Sequence, residues 1–135
     1  MDLEKSIVVS SYGMRAQGRR MRVIAENLAN ADSAAKNPQS DPYRRKTVSF
    51  KNQLDRALGA TIMRVGKEGL DRSEFQLRHM PGHPAADANG YVKMPNVNSL
   101  IELADMQEAQ RSYEANLAAV DAAKNMLAKT VELLR

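Results

Sequence analysis

The chain has 135 residues, a formal net charge of +4 and no cysteine, which excludes disulfides, thiolate metal sites and cysteine nucleophiles. Its hydrophobic fraction of 43 % is swollen by 19 alanines, whereas Leu, Ile, Val and Phe together number 27 and Trp is absent, so little large apolar surface is available to offset the entropy of ordering and stability is expected to depend on partners. The early apolar run Ile7-Val8-Val9 is too short for a signal-peptide core and no 18-residue apolar stretch follows, so neither a transmembrane helix nor a cleaved Sec signal is expected.

Residues 3 to 31 contain no Pro, and Ile7, Met14, Met21 and Leu28 recur every seven positions, with Leu3, Ile24 and Ala31 beside them. This heptad spacing predicts a helix presenting one narrow apolar stripe to a helical partner. Gly13 and Gly18 interrupt it, each at a cost of about 1 kcal/mol relative to Ala.

Asn37-Pro38 and Asp41-Pro42 then break the chain, and Arg44 to Phe50 reads as a short strand. Met80-Pro81-Gly82-His83-Pro84 and Asn89-Gly90 are turn chemistry, the latter pair predicting a hairpin. The middle of the chain is therefore expected to be a small, loop-rich β element.

From Ser99 to Leu134 neither Gly nor Pro occurs, and Met106, Tyr113, Val120, Leu127 and Leu134 repeat every seven positions. Ser99-Leu100-Ile101-Glu102 has capping-box spacing, with Ser99 as the cap and Glu102 reaching back. A long second helix is expected. The fold expected from these elements is mainly α: an antiparallel coiled coil of terminal helices (1–33 and 98–135) with a loop-rich β-hairpin insertion (34–97). Residues 1 to 40 carry a net +2, 41 to 95 +4 and 96 to 135 −2. The Arg15, Arg19 and Arg22 stripe would then lie near Glu114 and Asp121 as an orientation cue.

Asn27-Leu28-Ala29-Asn30-Ala31-Asp32-Ser33 followed by Pro42-Tyr43-Arg44-Arg45-Lys46 resembles the signature of the flagellar basal-body rod, hook and hook-associated protein family. Paired Asn residues suit a helix exit of fixed direction, because they bond nearby backbone and tolerate the left-handed conformation. Pro81-Gly82-His83-Pro84-Ala85-Ala86-Asp87 with Gly90-Tyr91-Val92, Met94-Pro95-Asn96-Val97-Asn98, and Asp105-Met106 with Arg111 to Asn116 are similar to a proximal-rod member of that family. The resemblance implies a structural subunit of a periplasm-spanning rod, exported through the flagellar type III apparatus. Its implied neighbours are further copies, the rod proteins FlgB, FlgF and FlgG, and the rod-base adaptor FliE. It carries an assembly motif onto Asn27, Leu28, Asn30, Pro42, Tyr43 and Arg44, beside the helix-seam residues named above, and implies no cofactor, small-molecule ligand or nucleic acid.

Three other functions compete. The sequence pI near 9.5 with Arg19-Arg20 and Arg44-Arg45-Lys46 suggests nucleic-acid binding, but acids are interspersed and stacking aromatics are few. His79 and His83 have the spacing of helical zinc ligands, yet Pro81-Gly82 between them forbids the helix. Asp71 and Glu74 carry no mark of a catalytic acid pair. A cytoplasmic coiled-coil adaptor shares every periodicity argument, and only the family motifs separate it from a rod subunit.

Overall fold

The computed structural model describes residues 2–134. Element order is α1 (Leu3–Ala29), β1 (Lys46–Asp55), β2 (Ala60–Leu70), β3 (Gln76–His79), β4 (Tyr91–Met94) and α2 (Ser99–Leu133). The strands form two antiparallel two-stranded sheets, β1 with β2 and β3 with β4. This corrects the expected fold class: the inserted β structure is substantial, not a small loop-rich element on a mainly α coiled coil. Its greater part is a hairpin with arms of 10 and 11 residues.

That hairpin turns at residues 56–59, where Asp55 Oδ1 accepts from the amides of Ala57 at 3.0 Å and Leu58 at 3.2 Å, and Gly59 adopts φ +61°. A side chain is strained at that angle, so glycine fits the turn. Further along β2, a Cβ on Gly66 would lie 2.5 Å from Ser49 Oγ. The glycines that obscure β2 in the sequence permit close strand approach.

The chain divides into two compact units. The first comprises residues 2–21, 48–67 and 107–134. Here the two helical segments run antiparallel, with Gly13 facing Asn116 and Arg20 paired with Glu108 at 3.6 Å. The side chains most deeply buried on these segments are small or polar: Ser10, Ala16, Gln17, Ala109 and Ala123, joined by Val120. A Cβ on Gly13 would sit 2.7 Å from Asn116 Oδ1, so this glycine permits close approach as well as weakening the helix. Gly18 has nothing within 4 Å of its would-be Cβ.

The second unit comprises Arg22–Thr47 and Glu68–Met106. Its apolar cluster is Ala35, Ala85, Val92 and Met94, flanked by Ala34, Met80 and Ala86. The β3–β4 register pairs Gln76 with Met94 and His79 with Tyr91. Asn89-Gly90 does not form the two-residue hairpin turn that its composition suggests. It ends a longer loop in which Asp87 Oδ1 accepts from the Asn89 and Tyr91 amides, and Gly90 takes φ +81°.

Both helices begin on an acceptor side chain. Asp2 Oδ1 accepts from the Lys5 amide at 3.2 Å. On α2 the cap is Asn98, not Ser99: Asn98 Oδ1 accepts from the amides of Leu100 at 3.1 Å and Ile101 at 3.3 Å. Glu102, expected to close a capping box, is instead 1 % exposed.

Candidate assembly site

The densest polar network of the second unit gathers around Asn27, on the last turns of α1, itself 1 % exposed. Its Nδ2 donates to Lys46 O at 2.9 Å and Glu102 Oε2 at 3.1 Å. Its Oδ1 accepts from Lys46 N at 2.9 Å and from the Tyr43 hydroxyl at 2.8 Å. All four bonding positions of the amide are thus used. By engaging both backbone groups of Lys46, the side chain stands in for a neighbouring strand and fixes where β1 begins.

Around this centre Arg45 ties three acids. Its Nε donates to Glu102 Oε1 at 2.6 Å, while its terminal nitrogens lie 3.5 Å from Asp71 and 3.9 Å from Asp105. Burial of Arg45 pulls its pKa down, but the Glu102 hydrogen bond and charge, with Asp71, more than compensate and hold it above the ordinary arginine value. Asp71 is held below the usual carboxylate range, first by the backbone amide and hydroxyl of Ser73 and then by Arg45. Burial, reinforced by the charge of Glu26, raises the Tyr43 hydroxyl. Lys46 pairs with Glu26, and that hydrogen bond raises the Lys46 pKa.

A second clamp secures the segment from the other side. Asn96 Oδ1 accepts from the Arg45 amide at 2.8 Å, and its Nδ2 donates to Asp71 O at 3.1 Å and Ser73 Oγ at 2.9 Å. Arg44 donates to Asp71 O at 2.9 Å and lies 4.1 Å over the Phe75 ring. Four motif residues thus have resolved roles here: Asn27 and Tyr43 in the centre, Arg44 against the segment after β2, and Asn30, whose Nδ2 donates to Glu26 O at 2.8 Å. Pro42 is buried and Leu28 half-buried. Neither Asn uses the left-handed conformation, since no described residue other than glycine has a positive φ.

The helix-seam residues are less uniform. Val120 is buried; Ile7, Met14, Met21, Leu28, Met106, Tyr113 and Leu127 are half-buried; and Leu134 is 84 % exposed. Among the described residues, Arg15 makes no ion pair with Glu114 or Asp121; it lies 5.8 Å over the Tyr12 ring. His79 packs edge-on against Tyr91 at 5.1 Å and His83 Nδ1 accepts from the Ala85 amide. No metal-ligand cluster occurs among the described residues, and none of their helices is long and apolar enough to cross a membrane.

Arg45, Asn96 and Glu102 were not singled out by the sequence as site residues. The available signal was Glu102 lying seven positions before Ala109 and twenty-one before Ala123, an acid in register with a buried small-residue row.

The network joins α1, the start of β1, the segment after β2 and the start of α2 by hydrogen bonds and ion pairs, which is the chemistry of a structural joint. Comparison with known proteins agrees. A family model described as flagellar basal body rod FlgEFG protein C-terminal matches residues 88–133. The flagellar basal-body rod protein FlgC of Agrobacterium fabrum is 49 % identical over 127 residues, covering 94 % of this chain and 91 % of the relative. That of Salmonella typhimurium is 42 % identical, covering 93 % and 92 %, and that of Bacillus subtilis 39 % identical, covering 95 % of each. The chain belongs to the flagellar basal-body rod protein FlgC family.

Proposed function

We propose that this chain polymerises through its terminal helices to build the proximal part of the rod, a drive shaft that crosses the periplasm and transmits motor torque. It is a structural subunit of the flagellar basal-body rod, and it acts by assembly, not by catalysis. The polymerising segments are 1–33 and 98–135, with 34–97 between them stiffening lateral contacts. Its neighbours are further copies, FlgB, FlgF, FlgG and the adaptor FliE, reached after export through the flagellar type III apparatus.

The observation that carries this reading is the apolar surface left open on α2. Leu100, Ile101, Leu103, Leu117, Met126 and Val131 are between 43 % and 78 % exposed on one helix. Large apolar side chains left open around a whole helix are surface for several neighbours to cover, and covering them contributes about 25 cal/mol for each Å² removed from water.

Deleting the gene is expected to leave cells non-motile, without rod, hook or filament, and the wild-type chain supplied in trans should be recovered in purified basal bodies. Normal swimming of the deletion strain would refute the proposal.

A further inference from the structure

The first unit contains a cleft of about 240 Å³ lined by Tyr12, Arg15, Ala16, Met63, Arg64 and Val65. Its composition is unusual for a surface depression. Ala16 is buried, Met63 and Val65 are half-buried, and two exposed guanidinium groups stand over a single ring: Arg15 at 5.8 Å and Arg64 at 5.9 Å from the Tyr12 centroid. Neither arginine has an ion-pair partner among the described residues. The Tyr12 ring attracts both charges, which leaves a positively charged rim beside an apolar floor.

The complementary surface lies on α2 in the same unit. Glu114 and Asp121 are exposed and form no ion pair among the described residues. They stand seven positions apart on one helix face, with Leu117, 43 % exposed, and exposed Ala118 between them. Seven residues of helix span about 10.5 Å. Two guanidinium groups held to one ring at these distances can be separated by no more than about 12 Å. The spacing of the acids falls within that limit, so an acid, an apolar knob and a second acid can meet a cation, an apolar floor and a second cation.

We propose that the Tyr12–Arg15–Arg64 cleft is the docking site for the Glu114–Leu117–Asp121 face of α2 from a second copy of this chain. This rests on the reading of the chain as a self-assembling subunit and names the contact through which one copy meets the next. Leu117 enters the cleft, Glu114 and Asp121 pair with the two arginines, and Tyr12 keeps the arginines in place while the cleft is empty. Unpaired opposite charges at the two ends of the contact select its register, since a slipped helix sets like charges or an alanine against the arginines.

The test uses the full chain. Sedimentation of the wild type at low and high salt is compared with Arg15→Glu/Arg64→Glu, with Glu114→Arg/Asp121→Arg, and with an equimolar mixture of the two double variants. The wild type should self-associate, more weakly at high salt. Each double variant alone should associate at least about tenfold more weakly, and the mixture should recover association, because each reversed cleft then meets a reversed helix. A wild type that stays monomeric, a reversal that associates like the wild type, or a mixture no better than its components overturns the proposal. Far-UV circular dichroism checks helix content. Should a reversal lose helix, Arg15→Gln/Arg64→Gln replaces it and should abolish the salt dependence; salt dependence that persists also overturns the assignment. The rod reading is separated by the deletion strain. Lost motility with unchanged association in the variants defeats only the cleft assignment, whereas normal motility with successful charge exchange defeats only the rod reading.

Discussion

Replacing Asn27 by alanine removes four hydrogen bonds from a side chain that is 1 % exposed. Three of the stranded groups, the Lys46 amide and carbonyl and the Tyr43 hydroxyl, belong to half-buried residues, whereas Glu102 is buried. At about 1 kcal/mol for each bond to a neutral group and about 2 kcal/mol for the bond to the carboxylate, the loss sums to roughly 5 kcal/mol, which water reaching Lys46 and Tyr43 lowers to about 3–4 kcal/mol. Against a native stability of about 5–15 kcal/mol for a domain, that is a large share. Asn27→Asp sharpens the test because it keeps the volume and the Oδ1 acceptor. It places an oxygen where Nδ2 now stands, 3.1 Å from Glu102 Oε2 and 2.9 Å from Lys46 O. It should be at least as destabilising as alanine near neutral pH, because it sets two acceptors against each other. Urea denaturation followed by circular dichroism gives the midpoint and slope for each variant. An alanine variant within about 1 kcal/mol of the wild type at unchanged slope would refute the view that Asn27 organises this region.

Gly18→Ala should stabilise the chain by about 1 kcal/mol, since nothing lies within 4 Å of the new Cβ, whereas Gly13→Ala should destabilise it because Asn116 Oδ1 lies 2.7 Å away. Thermal melts of both, and of Gly13→Ala with Asn116→Ala, should show the loss relieved in the double variant. Arg45→Met should cost about 3–5 kcal/mol because it strands the buried Glu102 carboxylate, and Glu102→Gln should cost less because Arg45, with 25 % of its side chain exposed, still reaches water; denaturant midpoints compare the two. Asp71 has a lowered native pKa, so its contribution is complete above its ordinary value of 3.8 and is lost as pH falls through the lower native value. Asp71→Asn should therefore flatten the stability profile below about pH 4. Hydrogen exchange of the monomer should show weak protection over Met106 to Leu134, where most side chains are exposed; strong protection there would contradict dependence on partners.

The two helices were legible because long stretches free of proline with sevenfold apolar spacing leave few alternatives, and their observed bounds, Leu3–Ala29 and Ser99–Leu133, depart little from the expected ones. What periodicity could not convey was which face lies deepest. It registers large side chains, and Met14, Met106 and Tyr113 are only half-buried, while Ala16, Ala109 and Ala123 are buried. Strand β2 was not anticipated because Gly66, Gly69 and alternating charges mask it, and only pairing with β1 gives it form. The Asn27 motif was found by resemblance, but its chemistry was not. A side-chain amide that completes the bonding of Lys46 acts over 19 positions, beyond any local helix-exit rule. Arg45 sat inside a basic cluster and Glu102 inside a capping pattern, and each local explanation hid the contact between them.

The Asn27 amide also imposes an order on events. One of its partners, Glu102, lies 75 positions downstream, so the joint cannot close on a chain that has presented only its leading half. Contacts this distant in sequence form late, after the entropy of closing the intervening loop has been overcome. Because a ribosome delivers the N-terminus first, the last turns of α1 stay unlocked until the start of α2 has been made, and the lock engages only then.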